Sequence, residues 1–379
     1  MTKQKLSKNL LTRTGSNLFS FLNMLPDPDT VATKATLKIS DYRDLLSDAH
    51  LYSTVQQRFS SVISLSWQLN STSNQKVDDF ITQFLKSWSL DNLYIQILDA
   101  VLFGYSVLEI VWDINSKSYL PAEIQAKPQE WFYFDIDNQL KYSGDNIIKD
   151  NRNLELPPDK FLLVQHSSTY FNPYGEKLLS KCYWPVHFKR SGMQYWLTFL
   201  ERYGMPFLVA SSPAGASEAD KLALMDALEK MLLDTTAIVP TDSTVKFLDA
   251  GNNYSSDIYK TYSTFFNSEI SKAILSQTLT TEVGTSGSFS ASQTHLNVFN
   301  NVVFSDKKLI ENTLNKLIKL IVDFNFPNVT EYPQFKLFSE KEVREDLAAR
   351  DKILTEQGLK FTKDYYRNSY NLQPDDFEL

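Results

Sequence analysis

The stretch SQTLTTEVGTSGSFSASQTH, from Ser276 to His295, separates two long helical patterns and decides how the rest of the chain is organised. It consists almost entirely of Ser, Thr, Gly and other small polar residues, and it contains no Lys or Arg. Successive helices in a compact protein are usually joined by about 2 to 8 residues. A polar connection of about 15 to 20 residues therefore indicates either a functional loop or a disordered one.

The patterns on both sides of this stretch predict long amphipathic helices. Before it, apolar and aromatic residues recur at helical spacing from about Ser256 to Gln277. After it, they recur from Val303 to Phe324, and Pro327 ends that helix. An earlier helix is expected from about Trp184 to Gly204, because Pro is favoured in a first helical turn and Gly after a last one.

A compact β-α-β-β unit is predicted between the earlier helix and the one that ends near Gln277. Strands are expected at Pro206–Ala210, Thr236–Val239 and Val245–Leu248. Ser217 is expected to cap the helix between the first two strands. The apolar stripe of that helix consists of Leu224, Met225, Leu228, Met231 and Leu232.

The N-terminal half of the chain predicts an α+β body preceded by an arm. Residues 1–40 combine a basic start, a short apolar cluster and the helix-breaking sequence PDPD, which is typical of an arm that a partner must hold. Helices are expected at about 40–65, 75–88 and 91–103, and strands at 104–114, 130–135 and 160–166. The last fifty or so residues predict one charged helix at about Glu340–Gln357, Gly358 as its C-cap and a short aromatic tail.

Composition limits the possible functions. The 379 residues include 42% hydrophobic and 22% charged residues, as in folded proteins of two or three domains. The frequent Phe and Tyr predict that aromatic packing replaces some of the aliphatic core. The net charge of −7 argues against a large basic surface that grips nucleic acid, but not against a protein that lets nucleic acid pass. The single cysteine, Cys182, allows no intrachain disulfide and is expected to be a buried small hydrophobe. No apolar run reaches the roughly 18 residues of a membrane span, and the N-terminus does not resemble a secretory signal.

No group of residues in the sequence predicts a catalytic, metal or cofactor site, so we expect a protein that is not an enzyme. The GTSGS at Gly284–Ser288 lacks the Lys and the preceding strand of a phosphate loop, and it does not have the spacing of a hydrolase elbow. Asp135 and Asp137 could hold a metal but are expected to form a solvated turn, and the four histidines have no metal-ligand spacing. Lys189-Arg190 and Glu201-Arg202 are expected to form a solvated helix face.

Four strings of the sequence resemble the Mu-type portal family of tailed phages and prophages. They are DPD at Asp27–Asp29, SDAHLYSTVQQR at Ser47–Arg58, PYGEKLLSKCYWPVHFKRSGMQYWLTFLERYGMPFLV at Pro173–Val209 and NSEISKAILSQTLTTEVGTSGSFSASQTH at Asn267–His295. The resemblance covers roughly residues 25 to 325, and the last two strings are quite specific. Family members usually carry Gly where Ser276 stands, and longer members extend well beyond Leu379.

The resemblance implies an α+β phage portal fold with long stem helices, an inserted β-α-β-β clip, an α+β wing and a short C-terminal helical crown. In this interpretation the segments are an N-terminal arm (1–40), a wing (41–183), a first stem helix (184–204), the clip (205–251), a second stem helix (252–277), a tunnel loop (278–294), a long wing helix (295–325) and a reduced crown (326–379).

The resemblance also implies roles for particular residues. The tunnel loop would project into a DNA channel with the residues Leu279, Thr280, Thr281, Glu282, Val283, Gly284, Thr285, Ser286, Gly287 and Ser288. Three basic stem residues would line either the channel or the outside of the ring, namely Lys189, Arg190 and Arg202. Acidic clip residues would dock the packaging motor and later the head-completion proteins, and these are Glu218, Asp220, Asp226, Glu229 and Asp242.

The implied function is that of a head-tail connector. A homo-oligomeric ring, commonly of about twelve subunits, would form in the cytoplasm of a bacterial host and occupy one capsid vertex of the virion. Double-stranded DNA would pass through its channel without sequence specificity during packaging and ejection. Other partners would be the terminase large subunit, the major capsid and scaffold proteins and the head-completion or neck proteins, with no membrane involved.

Two other classes of protein remain open from the sequence. A capsid-associated structural adaptor with a helical-bundle core would not need a β-α-β-β unit between paired long helices. An enzyme acting on nucleic acid would need clustered acidic residues or a nucleotide-binding loop. An ATPase or nuclease assay distinguishes that enzyme from a structural protein.

Overall fold

The structure is a computed structural model of the chain. It describes residues 25, 27–113, 118–143, 156–203, 207–211, 215–233, 244–248, 254–278, 289–327, 329–338 and 345–370. These residues divide into two compact units. The first unit combines the chain up to Lys181 with the chain from Ala273 onward, and the second unit is Cys182–Lys272.

The described part of the first unit begins with helices α1 to α5. Their bounds are Thr30–Ala35 (α1), Ile39–Leu45 (α2), Ala49–Ile63 (α3), Gln75–Ser87 (α4) and Leu90–Phe103 (α5). The single helix predicted at about 40–65 is wrong, because the chain leaves the helical conformation between α2 and α3. Asp48 causes this break by capping α3, and its carboxylate accepts the amide protons of His50 and Leu51.

The predicted arm does not extend to residue 40. Asp29 caps α1 by accepting hydrogen bonds from two amide groups of its first turn. Just before it, the amide of Leu25 donates to the carbonyl of Phe134, and the hydroxyl of Tyr174 donates to the carbonyl of Leu25. The chain is thus bound to the body from Leu25 onward, while residues 1–24 lie outside the described residues.

The described part of the first unit also contains small antiparallel sheets. The three-stranded sheet has the order β3-β2-β6, with β2 at Tyr105–Asp113, β3 at Leu120–Lys127 and β6 at Phe161–Gln165. Val107 of β2 pairs with Lys127 on one side and with Leu163 on the other. The two-stranded sheets pair β4 (Phe132–Phe134) with β5 (Leu140–Tyr142), and β1 (Ser66–Asn70) with β9 (Gln334–Phe338).

The strands predicted near 104–114, 130–135 and 160–166 are confirmed with shorter bounds as β2, β4 and β6. A 3-10 turn at Gln129–Trp131 precedes β4, so residues 130 and 131 of the strand predicted at 130–135 belong to this turn instead. The strand β3 was not predicted, because its sequence LPAEIQAK is poor in β-branched and aromatic residues. Its pairing with β2, rather than its own propensity, makes it a strand.

Aromatic rings replace part of the aliphatic core of this unit, as the frequent Phe and Tyr predict. Tyr105, Phe134 and Tyr174 meet edge to face, with ring centroids 4.9 to 6.0 Å apart. All three side chains are buried. Burial raises the pKa of Tyr174 to about 12, so its hydroxyl stays a neutral donor to Leu25 at physiological pH.

The longest described helix, α9, spans Phe289–Asn325. Its 37 residues give a length of about 55 Å. The predicted apolar stripe of this helix is buried at Ile310, Leu314, Leu317 and Ile321. The helix begins before the predicted boundary at 295, because its first turns are polar and carry no apolar periodicity that could reveal them.

Two short helices end the described chain, α10 at Glu345–Glu356 and α11 at Lys363–Tyr370. The charged helix predicted at about 340–357 is confirmed from residue 345, and residues 340–344 lie outside the described residues. Gly358 has a φ of 94°, which suits the C-cap role predicted for it. The predicted aromatic tail includes α11, and its Tyr365 donates a hydrogen bond of 2.8 Å to Asp351 of α10.

The second unit is built on two long helices, α6 at Leu178–Tyr203 and α8 at Tyr254–Leu275. The elements between them are β7 (Phe207–Ser211), α7 (Glu218–Leu233) and β8 (Thr244–Leu248), and β7 pairs antiparallel with β8. The predicted strand at 236–239 lies outside the described residues. The prediction that α6 starts near Trp184 is wrong, because Pro185 lies inside the helix, where it removes one backbone hydrogen bond without ending the helix.

Within the described residues, no helix combines the length and the apolar character that crossing a bilayer requires.

Candidate functional site

The predicted stem helices α6 and α8 pack against each other through aromatic side chains. Trp196 stacks on Tyr259 with ring centroids 6.2 Å apart and ring planes at 7°. Phe188 meets Phe266 at 6.0 Å. Phe188 precedes Trp196 in the chain while Phe266 follows Tyr259, so the two helices run antiparallel.

Gly192 brings the two helices into close contact. A Cβ atom added at this position would lie 2.2 Å from Cε1 of Tyr262. The Tyr262 ring is fixed in place, because its hydroxyl donates to the carbonyl oxygen of Phe188 at 3.0 Å and its ring meets Phe266 at 4.8 Å. Only glycine therefore fits at position 192 without movement of the helices.

The stem helices also expose large apolar side chains. On α6, Tyr195 is 70% exposed and Leu197 is 62% exposed. On α8, Ile258 is 63% exposed and Phe265 is 57% exposed. Single exposed apolar residues are common, but several large ones on two paired helices indicate that other protein surfaces cover these helices.

The three basic stem residues differ in their placement. Lys189 is buried, with 4% of its surface exposed, so the expectation of a solvated helix face is wrong for this residue. Arg190 is half-buried, and the side chain of Arg202 lies outside the described residues. Of the two described candidates, Arg190 is the one with a partly accessible side chain in the single chain.

Arg58 joins the C-terminal end of α8 to α3 and α9. Arg58, on α3, makes a forked ion pair with Asp306 of α9, with Nε–Oδ2 at 2.6 Å and Nη2–Oδ1 at 2.9 Å. Its Nη1 donates to the carbonyl oxygen of Ile274, in the last turn of α8, at 2.5 Å. Both charged side chains are buried, with 5% of Arg58 and 1% of Asp306 exposed. The sequence analysis did not single out this contact.

The predicted tunnel-loop residues Leu279 to Ser288 lie outside the described residues. The chain on either side of them is described. Ser276 has a left-handed φ of 58° directly after α8, and α9 begins at Phe289. Residues 289–294, which belong to the predicted tunnel loop of 278–294, are helical and form the first turns of α9.

The predicted N-terminus of the clip helix is confirmed. Ser217 Oγ donates to the carboxylate of Asp220 at 2.7 Å, and the amide of Asp220 donates back to Ser217 Oγ at 3.3 Å. This reciprocal arrangement satisfies an amide group that the first helical turn would leave unpaired. The Asp220 carboxylate, predicted to dock a partner, is thus engaged in capping its own helix.

The other acidic clip residues are described in part. Glu218 pairs with Lys221 at 2.8 Å and is exposed, and Asp226 is exposed farther along α7. The side chain of Glu229 and the whole of Asp242 lie outside the described residues. In the predicted apolar stripe of this helix, Leu224 is buried and Met225 is exposed.

A cluster of polar side chains surrounds the DPD string. The carboxylate of Asp29 accepts hydrogen bonds from the Tyr42 hydroxyl at 2.7 Å and from Ser180 Oγ at 2.8 Å, while Lys177 pairs with Asp27 and lies 3.7 Å from Asp29. Burial opposes the charge of Asp29, but the Tyr42 and Ser180 hydrogen bonds and the Lys177 charge outweigh it and lower the pKa of Asp29. This cluster binds the N-terminal segment to the body.

Asp135 and Asp137 form a turn, as predicted, but the expectation of a solvated turn is wrong for Asp135, which is buried with 5% of its surface exposed. The carboxylate of Asp135 accepts the amide protons of Asp137 at 3.0 Å and of Gln139 at 2.8 Å. In the part of the chain that the structure describes, no three His, Cys, Asp or Glu side chains come together in a way that could hold a metal ion. Cys182 is fully buried, which confirms its predicted packing role.

The sequence matches the family model described as the portal protein of Mu bacteriophage over residues 39–372. The portal protein of Escherichia phage Mu is 28% identical over 278 residues, which cover 71% of this chain and 53% of that protein. The Mu-like prophage FluMu protein gp29 of Haemophilus influenzae is 24% identical over 282 residues, with the same 71% and 53% shares. The chain thus spans about half the length of the curated relatives it matches.

Solved structures share the fold at low sequence identity. A chain in the neck of a native gene transfer agent particle, computed with C12 symmetry, has a TM-score of 0.61 at 11% identity and covers 93% of this chain and 96% of that chain. A chain in the virion of a native gene transfer agent particle has a TM-score of 0.60 at 11% identity and covers 88% and 94%. At such identities the likeness concerns the fold alone.

Proposed function

The chain belongs to the family of portal proteins of Mu bacteriophage and has its α+β fold, and we propose that it forms a ring at one capsid vertex through which double-stranded DNA is packaged and ejected. One observation carries this proposal. The antiparallel helices α6 and α8 expose aromatic and aliphatic side chains to solvent, and α8 leads directly into a segment without basic residues.

A ring of identical subunits supplies a partner for the exposed stem surface. Each subunit presents Tyr195 and Leu197 on one helix and Phe265 on the other. When two unlike faces of one chain meet, the same contact repeats from copy to copy, and it closes into a ring if the rotation fits. We expect about twelve subunits, and the likeness to a chain in a particle neck computed with C12 symmetry supports this number.

The composition of residues 279–288 suits a DNA conduit. Double-stranded DNA carries one negative charge about every 1.7 Å, and each phosphate neutralised by Lys or Arg adds affinity. A conduit that accumulated such contacts would stall the DNA. This segment has no basic residue and one acid, Glu282, so its hydroxyl groups offer only weak and exchangeable contacts. Gly284 and Gly287 allow many backbone conformations, so identical loops could adapt to a duplex of different symmetry.

The clip is the proposed docking site for the terminase large subunit and later for the head-completion proteins. Glu218 and Asp226 are exposed on α7 and support an electrostatic contribution to this docking. The major capsid and scaffold proteins would surround the ring in the virion, after assembly in the cytoplasm of the bacterial host. The chain itself would have a structural role, and purified rings are expected to show neither ATPase nor nuclease activity.

Electron microscopy of the purified full-length protein tests the ring. We expect end-on views with a central hole and a symmetry of about twelve, with variation in subunit number among recombinant rings. Native mass measurement on the same sample gives the subunit number independently. Only monomers under several assembly conditions would contradict the proposal.

Basic residues placed in the tunnel loop test the conduit. Glu282→Lys together with Thr285→Lys adds two cations per subunit, so about twenty-four in a ring of about twelve, and we expect DNA packaging to slow or stop because phosphate contacts multiply. The measurement is the length of DNA protected inside particles assembled with the variant. Glu282→Gln is the matched control, since it removes the acid without adding a cation and should package normally. Full-length genomes packaged by the double-lysine variant would contradict the proposed contact.

A further inference from the structure

Arg58 is a buried cation on the apolar side of α3. It lies three residues after Val55 and four before Val62, and both valines are buried. Burying a guanidinium is costly unless its N–H groups are bonded. Here three nitrogens are used, because Nε and Nη2 engage the two carboxylate oxygens of Asp306 and Nη1 engages the carbonyl of Ile274.

The two partners of Arg58 belong to the two helices that bracket residues 279–288. Ile274 lies in the last turn of α8, two residues before Ser276. Asp306 lies on α9, the helix that starts at Phe289. The planar guanidinium has a rigid fork of donors, so it fixes the distance and the angle between the groups that it joins. A lysine ammonium, which is a point charge on a flexible stem, cannot fix both.

The contact with Ile274 also completes the end of α8. The last four carbonyl groups of a helix have no partner within the helix, and a cation at this end is favoured by the helix dipole. Arg58 supplies one donor and one positive charge at this position. Because the same side chain holds Asp306, the last turn of α8 cannot shift without disturbing a buried ion pair on α9.

We propose that Arg58 is a positioning residue for the proposed DNA channel, because it fixes the end of α8, where the chain leaves this helix for residues 279–288, against the body of α9. The proposal rests on the proposed portal function for its consequence and on described residues alone for its geometry. In a ring, the same clamp in every subunit would start each tunnel loop from an equivalent place. The channel would then present a uniform circle of loops to the DNA.

If the Arg58–Asp306 pair only stabilised the fold, apolar side chains could replace it. If Arg58 also positions the end of α8, they could not. A buried ion pair can often be exchanged for apolar side chains of similar volume without loss of stability. Arg58→Met with Asp306→Leu is such an exchange. It leaves no unpaired buried charge, but it also leaves the carbonyl of Ile274 without its donor. The double variant therefore separates stability from the position of the end of α8.

The experiment compares full-length rings of the wild type, Arg58→Lys and the double variant Arg58→Met/Asp306→Leu. Thermal unfolding shows whether the double variant keeps its stability, and amide hydrogen exchange followed by mass spectrometry reports on segments 268–278 and 294–306. We expect the double variant to keep the wild-type melting temperature and to exchange about tenfold faster in both segments. Arg58→Lys, if it folds, should also exchange faster. Wild-type exchange in the stable double variant would overturn the proposal.

Lys336→Met is the matched control. Lys336 lies on β9 and forms an ion pair of 3.3 Å with Glu311 of α9, the helix that also carries Asp306. The substitution removes this pair, which does not involve α8, and should leave amide exchange in segment 268–278 unchanged. DNA protected inside particles supplies the functional measurement, and we expect at least a tenfold loss for the double variant and none for the control. Equal packaging by wild type and double variant would overturn the role of Arg58 in the channel. Wild-type rings that package no DNA would instead contradict the proposed portal function.

Discussion

Ser276 holds a backbone conformation that favours glycine. Its φ of 58° lies in the left-handed region, where a Cβ atom is too close to the following carbonyl oxygen and costs about 1 to 2 kcal/mol. The position directly follows α8 and is one where helices commonly end on glycine. Glycine adopts this φ without that penalty, so the geometry favours glycine over the serine that the chain carries here.

Replacing Ser276 with Gly is expected to stabilise the chain. Relief of the left-handed strain outweighs the larger entropy of glycine in the unfolded chain, so the free energy of unfolding should rise by about 0.5 to 1 kcal/mol. Urea denaturation at fixed protein concentration measures it. Ser305→Gly on the exposed side of α9 is the control, because the same exchange inside a helix should lower the free energy of unfolding by a similar amount. A loss of stability for Ser276→Gly would show that the serine hydroxyl matters more than the strain.

Asp99 makes the stability of the first unit depend on pH. Burial raises its pKa from 3.8 to about 6, and the charge of Arg43 offsets this only in part, because Arg43 is already paired with Glu130 at 2.5 Å. Between about pH 4 and pH 6, the Asp99 carboxyl therefore keeps its proton in the folded state but has lost it in the unfolded state. Stability contributed at this site falls as the pH rises through that window.

Asp99→Asn should remove the cost of burying a charged carboxylate at this position. The amide has the shape of the acid but no charge, so we expect a gain of about 2 kcal/mol in the free energy of unfolding at pH 7.5 and almost none near pH 4. Urea denaturation at both pH values makes the comparison. Asp91→Asn on the exposed side of the same helix is the control and should bring no gain at pH 7.5. An equal effect of Asp99→Asn at the two pH values would contradict the assignment.

The pairing of Arg58 with Asp306 could have been found in the sequence, because each charge interrupts an apolar stripe. Arg58 falls between Val55 and Val62, and Asp306 falls four residues before Ile310. Opposite charges on two buried faces predict a buried pair. The third partner could not be found, because the carbonyl of Ile274 is a backbone group whose availability depends on where α8 ends.

At the scale of elements, the pairing of α6 with α8 depends on the absence of a side chain at position 192. Gly192→Ala would place a methyl group 2.2 Å from the Tyr262 ring, so either the ring loses its hydrogen bond to Phe188 or the helices separate. Overpacking of this kind costs about 1 to 3 kcal/mol, although alanine is the better helix former. We expect a lower urea midpoint and weaker ring formation.

A second substitution tests whether the helix contact is the cause. Gly192→Ala combined with Tyr262→Ala removes the overlapping ring, so the alanine at 192 should cost less in that background than alone. Ser191→Ala, on an exposed neighbouring position, should be almost neutral. If Gly192→Ala were equally costly with and without Tyr262, the helix contact would not be its reason.

Long helices were the elements that the sequence predicted best, since each repeats its apolar pattern over several turns. Their ends were harder, because the start of α6 was hidden by Pro185 and the start of α9 by polar turns. The short strands depended on partners far along the chain. β1 pairs with β9, which lies about 265 residues later in the chain, and no local sequence pattern predicts such a pairing.

At the scale of the whole molecule, the layout is retained where the sequence is not. The chain shares its fold with a chain of a gene transfer agent neck at 11% identity. Helix length, apolar periodicity and the order of the elements tolerate almost any exchange of apolar residues of similar size. The exposed face of the stem is different, because in the proposed ring it meets another face of a second copy and must be complementary to that face.

Assembly should therefore fail before folding when charge is placed on the stem surface. Tyr195→Glu with Phe265→Glu removes two exposed aromatic rings and would bury unpaired carboxylates in the contact between subunits. We expect ring formation to weaken by about 100-fold or more, with monomers at micromolar concentration and an unchanged far-ultraviolet circular dichroism spectrum, because both side chains are mostly outside the core of the single chain. Mass photometry gives the distribution of sizes. Gln194→Glu adds one negative charge beside Tyr195, half of what the double variant adds, without removing apolar surface, and it should leave the rings intact at low protein concentration. Rings that persist in the double variant at the wild-type concentration would mean that the stem surface meets something other than a second copy of the chain.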